Sequence, residues 1–414
     1  MTGFATGSLH GGIRKRDPHG TLRTPVYDSV AFEFDKAEDM RLAFEGKKLA
    51  HSYSRISNPT VEEYEERIRA LSGGVGVLAV SSGMAAISNV VLALAESGSR
   101  IVASRFLFGN TLSLFEQTLK PWGLSVDYVD TADLTQVKEA ITGRTRAVFV
   151  EIIANPQLQV PDIGALSRIA HQQNVPLVVD GTTTSLGLFS SKAFGADIEV
   201  MSSTKSISGG ATSVGGLIVD NGVFDWSGHP KIGPWAAKAG PRAFSAYLRK
   251  EIFRNVGSCL SPHSAYLQTL GLETLDLRLR KSSENALILA QRLGKHPKIT
   301  AVRYPGLETS PYHAVARKQF SSGYGALVCF HLHDRDECFQ FLDRLKIIRR
   351  ATNINDNKTL AIHPASTIYS EYAPVEREAM DVPETMVRLS IGIENLEDLW
   401  NDIARSLEGN NGIY

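Results

Sequence analysis

The sequence predicts an α/β fold: a mostly parallel β-sheet covered by helices on both faces, followed by a smaller α+β region. Two observations predict it. From residue 61 to about residue 219, short β-branched apolar runs alternate with helical stripes. Those runs are apolar at successive positions rather than at every second one, as strands buried on both faces are. A third observation, the looser pattern after residue 220, marks the second region.

The elements follow in order. The first sixty residues are rich in Gly, Pro, Thr and Ser and show no sustained periodicity, so they read as an extended arm that packs on something else. Asn58-Pro59 is an N-cap with Pro at the first helical position, and Val61, Tyr64, Ile68 and Leu71 continue as a helical stripe that ends at Gly73-Gly74. Strands are expected at 75–80, 101–103, 124–129, 147–152, 176–179, 199–202 and 215–219. Helices are expected at 83–95, 111–119, 134–141 and 163–173. Residues 221–262 are irregular. A helix at 285–293, strands at 326–332 and 387–391, and a helix near 337–345 form the last region. The expected units are an arm (1–60), a sheet domain (61–262) and a C-terminal domain (263–414).

Composition narrows the function. Of 414 residues, 43% are hydrophobic and 21% charged, which excludes an intrinsically disordered chain. Lys+Arg and Asp+Glu are both 44, so the basic surplus expected of a nucleic-acid or anionic-membrane binder is missing. No apolar run reaches the length of a membrane span, and the basic N-terminus lacks the apolar core of a secretory leader. The three cysteines, Cys259, Cys329 and Cys338, form no metal or redox spacing and read as inert thiols. No metal site is expected. The chain reads as a cytoplasmic protein.

Four segments lie where a parallel sheet places its site, at strand ends. Ser81-Ser82-Gly83-Met84 leaves a strand and opens a helix; free amides and the helix dipole make that junction an anion site, although an ordinary Ser cap also explains it. Asp180 ends a strand and can hold a cationic group. Lys205 follows Ser202-Ser203-Thr204, hydroxyls that suit a phosphate, and a desolvated lysine can form a Schiff base with an aldehyde. Arg388 sits inside an apolar strand, where it needs either a ligand carboxylate or an internal salt bridge. A phosphate cradle, an Asp, a Lys and an Arg are together what pyridoxal phosphate and an amino acid require.

At this point the chain resembles the Cys/Met-metabolism family of pyridoxal-phosphate enzymes, of fold type I. The resemblance rests on Tyr53-Ser54-Arg55, Asn58-Pro59-Thr60, Ser82-Gly83-Met84, Asn155-Pro156, Asp180-Gly181-Thr182, Ser202 through Lys205, Gly215-Gly216, His363-Pro364-Ala365 and Arg388 through Glu394. It implies a seven-stranded cofactor domain and a small C-terminal domain. Within the family, Phe224-Asp225-Trp226, Gly271-Leu272-Glu273-Thr274-Leu275 and Tyr304-Pro305-Gly306-Leu307 resemble the O-acetylhomoserine sulfhydrylase branch. The implied reaction is γ-replacement in methionine and cysteine metabolism: O-acetyl-L-homoserine and sulfide, or another thiol, to L-homocysteine and acetate. O-succinylhomoserine sulfhydrylase or cystathionine γ-synthase is the alternative, a cystathionine or methionine γ-lyase the third, and a non-catalytic cofactor-binding protein the fourth.

The resemblance also implies roles. Lys205 would carry pyridoxal 5'-phosphate and move protons, and Asp180 would pair with its ring nitrogen. Gly83, Met84, Ser202 and Thr204, with Ser82 and Thr182, would hold the cofactor and its phosphate. Asn155 would meet the ring oxygen, and Asn353 and Arg388 the substrate carboxylate. Tyr53 and Arg55 would reach the site of the neighbouring subunit, with two such dimers making a homotetramer. Three positions depart from the family. Phe108 stands where a Tyr usually stacks on the ring, leaving proton transfer to Lys205, Tyr53 or water. Asn353 replaces a Ser. Tyr369 stands where a His often follows His363-Pro364-Ala365-Ser366.

Overall fold

A computed structural model describes residues 3–12 and 19–409. Residues 13–18 of the expected arm lie outside the described residues. Among those described, seven strands form the large sheet: β1 (Gly76–Val80), β2 (Arg100–Ser104), β3 (Ser125–Val129), β4 (Thr145–Glu151), β5 (Leu177–Asp180), β6 (Ile198–Met201) and β7 (Gly216–Asp220). Their order is β1-β7-β6-β5-β4-β2-β3. The pairs from β6 to β3 are parallel; β7 runs antiparallel to both β1 and β6.

Both faces of this sheet are covered, which is why its strands are continuously apolar. In β4, Ala147 and Phe149 join one core with Ile101, Ala103 and Val178. Val148 and Val150 point the other way and join Val102, Val179 and Leu166. Each fully buried large apolar side chain contributes about 1.5–3 kcal/mol of transfer free energy, so the two cores together hold the strand ends in place.

Five strands form a second sheet: β8 (Ala301–Arg303), β9 (Leu327–His331), β10 (Arg349–Arg350), β11 (Leu360–Ile362) and β12 (Met386–Ser390), in the order β10-β11-β12-β9-β8. Val328, Phe330, Val387 and Leu389 pack there against Leu289, Phe341, Ile403 and Leu407.

The elements differ from the sequence reading in several places, among them the unexpected strands β8, β10 and β11 and helix Leu396–Glu408. The arm is not wholly extended. Phe4–His10 is a helix whose Phe4 packs against a core that includes Leu279 and Leu186. Ala37–Phe44 is a helix with no buried residue, held by Arg41 pairing with Glu38 and Glu45. Tertiary packing supplies the first and local ion pairs the second, and neither leaves an apolar stripe to read. The expected helix at 285–293 is the end of a longer one, Leu275–Leu293, preceded by Pro262–Glu273, which starts on a Ser261 cap with Pro at its first position. The irregular stretch 221–262 holds several short helices, among them Gly233–Ala239 and Ala243–Tyr247.

One carboxylate fixes the segment that leads toward Asn353. Asp402, on helix Leu396–Glu408, accepts the amides of Lys346, Ile347 and Ile348 at 3.0, 2.8 and 3.0 Å and pairs with Arg405. Burial alone would raise its pKa, but the amides of Ile348, Lys346 and Ile347 and the Arg405 contact outweigh burial and hold it below 3.8. Hydrogen bonds to a charged group are worth about 1.5–3 kcal/mol each in net terms. Asp402→Ala is therefore expected to lower stability by about 3 kcal/mol at neutral pH, measured by urea unfolding. The folded pKa is depressed, so this stabilisation is present above the unfolded value and is lost as pH falls through the folded one. The difference between wild type and variant should shrink below about pH 4; a difference that grows there would contradict the assignment.

Candidate functional site

The sheet brings its chemistry to one edge. Register pairs Val80 with Gly216, Met201 with Leu217, Asp180 with Val200 and Glu151 with Asp180. The carboxyl ends of β1, β6, β5 and β4 thus meet the start of β7. A cavity of about 280 Å³ opens there, lined among others by Ser82, Gly83, Met84, Phe108, Glu151, Asn155, Asp180, Thr182, Ser202, Thr204 and Lys205.

The helix Gly83–Leu94 points its N-terminus into this cavity. Ser82 is its N-cap: Ser82 Oγ accepts the amide of Ala85 at 3.0 Å. That is the ordinary cap, and it commits the hydroxyl. The amides of Gly83 and Met84, at the first two helical positions, have no intrahelical carbonyl to meet. The backbone reaches its neighbours only because two residues lack a side chain. A Cβ on Gly83 would lie 2.7 Å from Ser202 Cβ and 3.0 Å from Ser202 Cα, and one on Gly216 would lie 2.1 Å from the Ser82 carbonyl oxygen. This cradle fits a phosphate: two free amides, a positive helix end, and no room for anything bulkier in the wall.

The turn carrying Lys205 follows β6. Ser202 donates its amide to Thr182 Oγ1 at 2.8 Å, and Thr204 Oγ1 exchanges hydrogen bonds with the Gly215 carbonyl and amide at 3.1 and 3.0 Å. Lys205 Nζ donates to Asn353 Oδ1 at 2.7 Å, and Asn353 Nδ2 donates to Asp356 Oδ2 at 3.2 Å. Burial lowers the Lys205 pKa from its ordinary 10.5; the Arg388 charge adds to that, and Asp356 opposes it. The result is an amine easier to free of its proton than a solvated lysine.

Asp180 is half-buried in the cavity wall. Thr182 donates its amide to Asp180 Oδ1 at 2.8 Å, and burial raises its carboxyl pKa. A cationic nitrogen beside it would offset that cost. Arg388 is 2% exposed and forms no ion pair among the described residues. The internal salt bridge considered from sequence is thus absent there. Its Nη1 donates to Asn155 Oδ1 at 2.8 Å, and its Nη2 to the carbonyls of Thr352 and Asn353 at 3.1 and 3.4 Å. Nε is buried without a partner among the described residues. Burial pulls this guanidinium down to about 10, so it stays charged at neutral pH and calls for an anion.

Glu151 is the residue the sequence reading missed. Its carboxyl accepts the amide of Phe108 at 2.5 Å and that of Asn155 at 3.1 Å. Burial first, and then the Asp180 charge, hold its pKa well above the ordinary carboxylate range. The signal was available: Glu151 ends an apolar strand, as Asp180 does. Tyr53 and Arg55 are not brought to this cavity. Tyr53 is 42% exposed, and Arg55 Nη1 donates to the Arg254 carbonyl at 2.5 Å. Cys329 and Cys338 are buried free thiols, and Cys259 is free and half-buried. Among the described residues no His, Cys, Asp and Glu cluster is set to hold a metal, and no helix is long and apolar enough to cross a membrane.

Comparison with known proteins gives a consistent picture. The family model described as Cys/Met metabolism PLP-dependent enzyme matches residues 5–408. The O-acetyl-L-homoserine sulfhydrylase of Corynebacterium glutamicum is 37% identical, over 97% of this chain and 96% of that protein. The crystal structure of an O-acetylhomoserine sulfhydrylase from Wolinella succinogenes is 47% identical with a TM-score of 0.78, covering 86% of this chain and 99% of that one. A putative O-acetylhomoserine (thiol)-lyase from Campylobacter jejuni, solved with a pyridoxyl-lysine phosphate, is 30% identical with a TM-score of 0.92, over 98% of this chain and 100% of that one.

The electrostatics of Lys205 are testable in the ligand-free protein. Reductive methylation of Lys205, followed by peptide mass spectrometry against pH, should show a midpoint below that of free lysine. Asp356→Asn removes the one charge that raises this pKa, so the midpoint should move further down. An upward move would show that Asp356 does not act on the amine.

Proposed function

The chain belongs to the Cys/Met metabolism family of pyridoxal-phosphate-dependent enzymes, and from that premise we propose that it catalyses γ-replacement, converting O-acetyl-L-homoserine and sulfide to L-homocysteine and acetate. The observation that carries this reading is one cavity holding an anion cradle, a half-buried carboxylate and a desolvated lysine. The sulfhydrylase names of the relatives support the choice of substrate and donor.

In this reading the amides of Gly83 and Met84, with the turn from Ser202 to Thr204, hold the cofactor's phosphate. Phe108, Asn155 and Asp180 would hold its ring, and Lys205 would hold it through its amine. Bound pyridoxal phosphate supplies an aldehyde for an amino group and a ring that withdraws electrons from the substrate's Cα. Arg388, charged and short of an anion, takes the substrate carboxylate beside Asn353. Displaced by the substrate's amine, Lys205 Nζ would take the Cα proton, give it up, and only then take a Cβ proton, since one amine holds one extra proton. After acetate has left Cγ and sulfide has added there, it would return a proton to each carbon in the reverse order. Asn353, hydrogen-bonded to Lys205 Nζ, keeps that amine near the substrate. Phe108 has no hydroxyl to share this work, so the proton traffic falls on Lys205, with Tyr53 of a neighbouring protomer as its aid.

Tyr53 and Arg55 stand outside the cavity of their own protomer, which supports their service to a partner's site. The proposed assembly is a two-fold dimer with shared sites, paired into a tetramer, working in the cytoplasm on free amino acids.

Borohydride treatment of the pyridoxal-phosphate-loaded protein should fix the cofactor on the Lys205 peptide, and homocysteine should form much faster than 2-oxobutanoate. Labelling elsewhere, or 2-oxobutanoate as the main product, would overturn the reading. For the assembly, Arg55→Ala and Lys205→Ala homo-oligomers should each be nearly inactive, and verified mixed oligomers should regain part of the activity. No recovery would leave Arg55 as a surface residue.

A further inference from the structure

Tyr369 departs from the family pattern, and nothing in the proposed chemistry uses it. It is fully buried. Its hydroxyl lies 2.8 Å from the carbonyl of Leu107 and 3.3 Å from that of Asn155, so one O–H bridges two segments that are far apart in sequence. Leu107 precedes the ring-stacking Phe108. Asn155 is the amide proposed to meet the ring oxygen, and it also receives Arg388.

The stretch around Tyr369 straps the same turn at two further points. Tyr372 donates its hydroxyl to the Gly109 carbonyl at 3.2 Å. Gly109 itself lies so close that a Cβ there would be 2.7 Å from the Ile368 carbonyl oxygen. From the other side, Glu151 receives the amides of Phe108 and Asn155. Phe108 and Asn155 are thus held relative to each other through Glu151 on one side and Tyr369 on the other. A hydrophobic filler would need no hydroxyl; a hydroxyl aimed at two carbonyls fixes their separation.

We infer that Tyr369 is a positioning residue, whose hydroxyl sets the spacing between the stacking ring of Phe108 and the amide of Asn155. The inference rests on the seats proposed above for those two residues. In the family pattern a Tyr stacks and a His follows the His363-Pro364-Ala365-Ser366 stretch. Here the stacking side chain has lost its hydroxyl, and a hydroxyl behind it anchors its backbone.

The test is Tyr369→Phe in the cofactor-loaded protein, with Tyr304→Phe as a matched control. Tyr304 is equally buried, and its hydroxyl lies 2.9 Å from the Gly325 carbonyl and 3.3 Å from that of Ser283, outside the cavity. Three quantities are read: the visible circular dichroism of the bound cofactor, kcat against KM, and the melting temperature. Both variants should lose similar thermal stability. Only Tyr369→Phe should weaken the visible dichroic band per bound cofactor and lower kcat about tenfold, with KM within about twofold. Band and kcat unchanged in Tyr369→Phe, beside a melting loss equal to that of Tyr304→Phe, would overturn the inference and leave Tyr369 a core side chain. Gly109→Ala supplies a second route that keeps the hydroxyl: its Cβ pushes on Ile368 and should weaken the same band, and an unchanged band would count against the strap. A parent protein that takes up no cofactor would overturn the underlying reading together with this one.

Discussion

Everything at the site depends on a close backbone approach that only glycine permits. Helix Gly83–Leu94 must bring its N-terminus against the turn that ends in Lys205, and Gly83 and Gly216 are the residues whose missing Cβ atoms allow it. The sheet order makes this approach possible. Because β7 is antiparallel and lies between β1 and β6, the ends of β1 and β6 flank its start. The helix end supplies amides and partial positive charge, and the turn supplies hydroxyls and the amine. Separate these by one methyl group and the two halves of an anion site no longer face a common point.

Charge is the second constraint. Lys205, Glu151 and Asp180 line the cavity, the cation Arg388 lies behind it on the lining residues Asn155 and Thr352, and Glu199 is nearby. Burial pushes Glu199 up to about 7, only partly relieved by Ser191 and worsened by the Asp180 charge. Three acids on adjacent strands, Glu151 and Glu199 buried and Asp180 half-buried, cannot all ionise at low cost. The arrangement concentrates negative charge on whichever member meets a cation, and Asp180 lines the cavity where a ligand's cation can reach it. The cations are short of partners in turn: Arg388 bonds only neutral oxygens. Such groups are costly in an empty protein and useful when a zwitterionic ligand and a phosphate complete the set.

Sequence reading served where a residue's position alone carries its chemistry. Lys205, Asp180 and Gly83 sit directly after apolar strands, and strand ends are where parallel sheets place ligands. Glu151 obeys the same rule and was passed over, because an acid followed by Ile152-Ile153 looks like a strand interior. Helix Leu396–Glu408 was missed although Leu399, Ile403 and Leu407, four residues apart and all buried, carry a helical stripe. Other features were not legible. Phe4–His10 is a helix through contacts made with distant residues. The strap from Ile368 to Tyr372 exists only because a loop of the second sheet's half of the chain folds over a turn 262 residues earlier. That Asn353, rather than a hydroxyl, would meet Lys205 is likewise a consequence of how Asp402 and β10 deliver that segment.

The central claim is that an anion-binding helix end and the Lys205 turn form one cofactor seat with no spare volume at Gly83. The most direct measurement is the pyridoxal-phosphate affinity of Gly83→Ala, titrated into the ligand-free protein and followed by its visible absorbance. The account predicts a loss of at least about tenfold, since the added methyl must displace Ser202 and spoil charge-assisted hydrogen bonds to the phosphate. An affinity equal to wild type, in a variant that melts at the wild-type temperature, would contradict it.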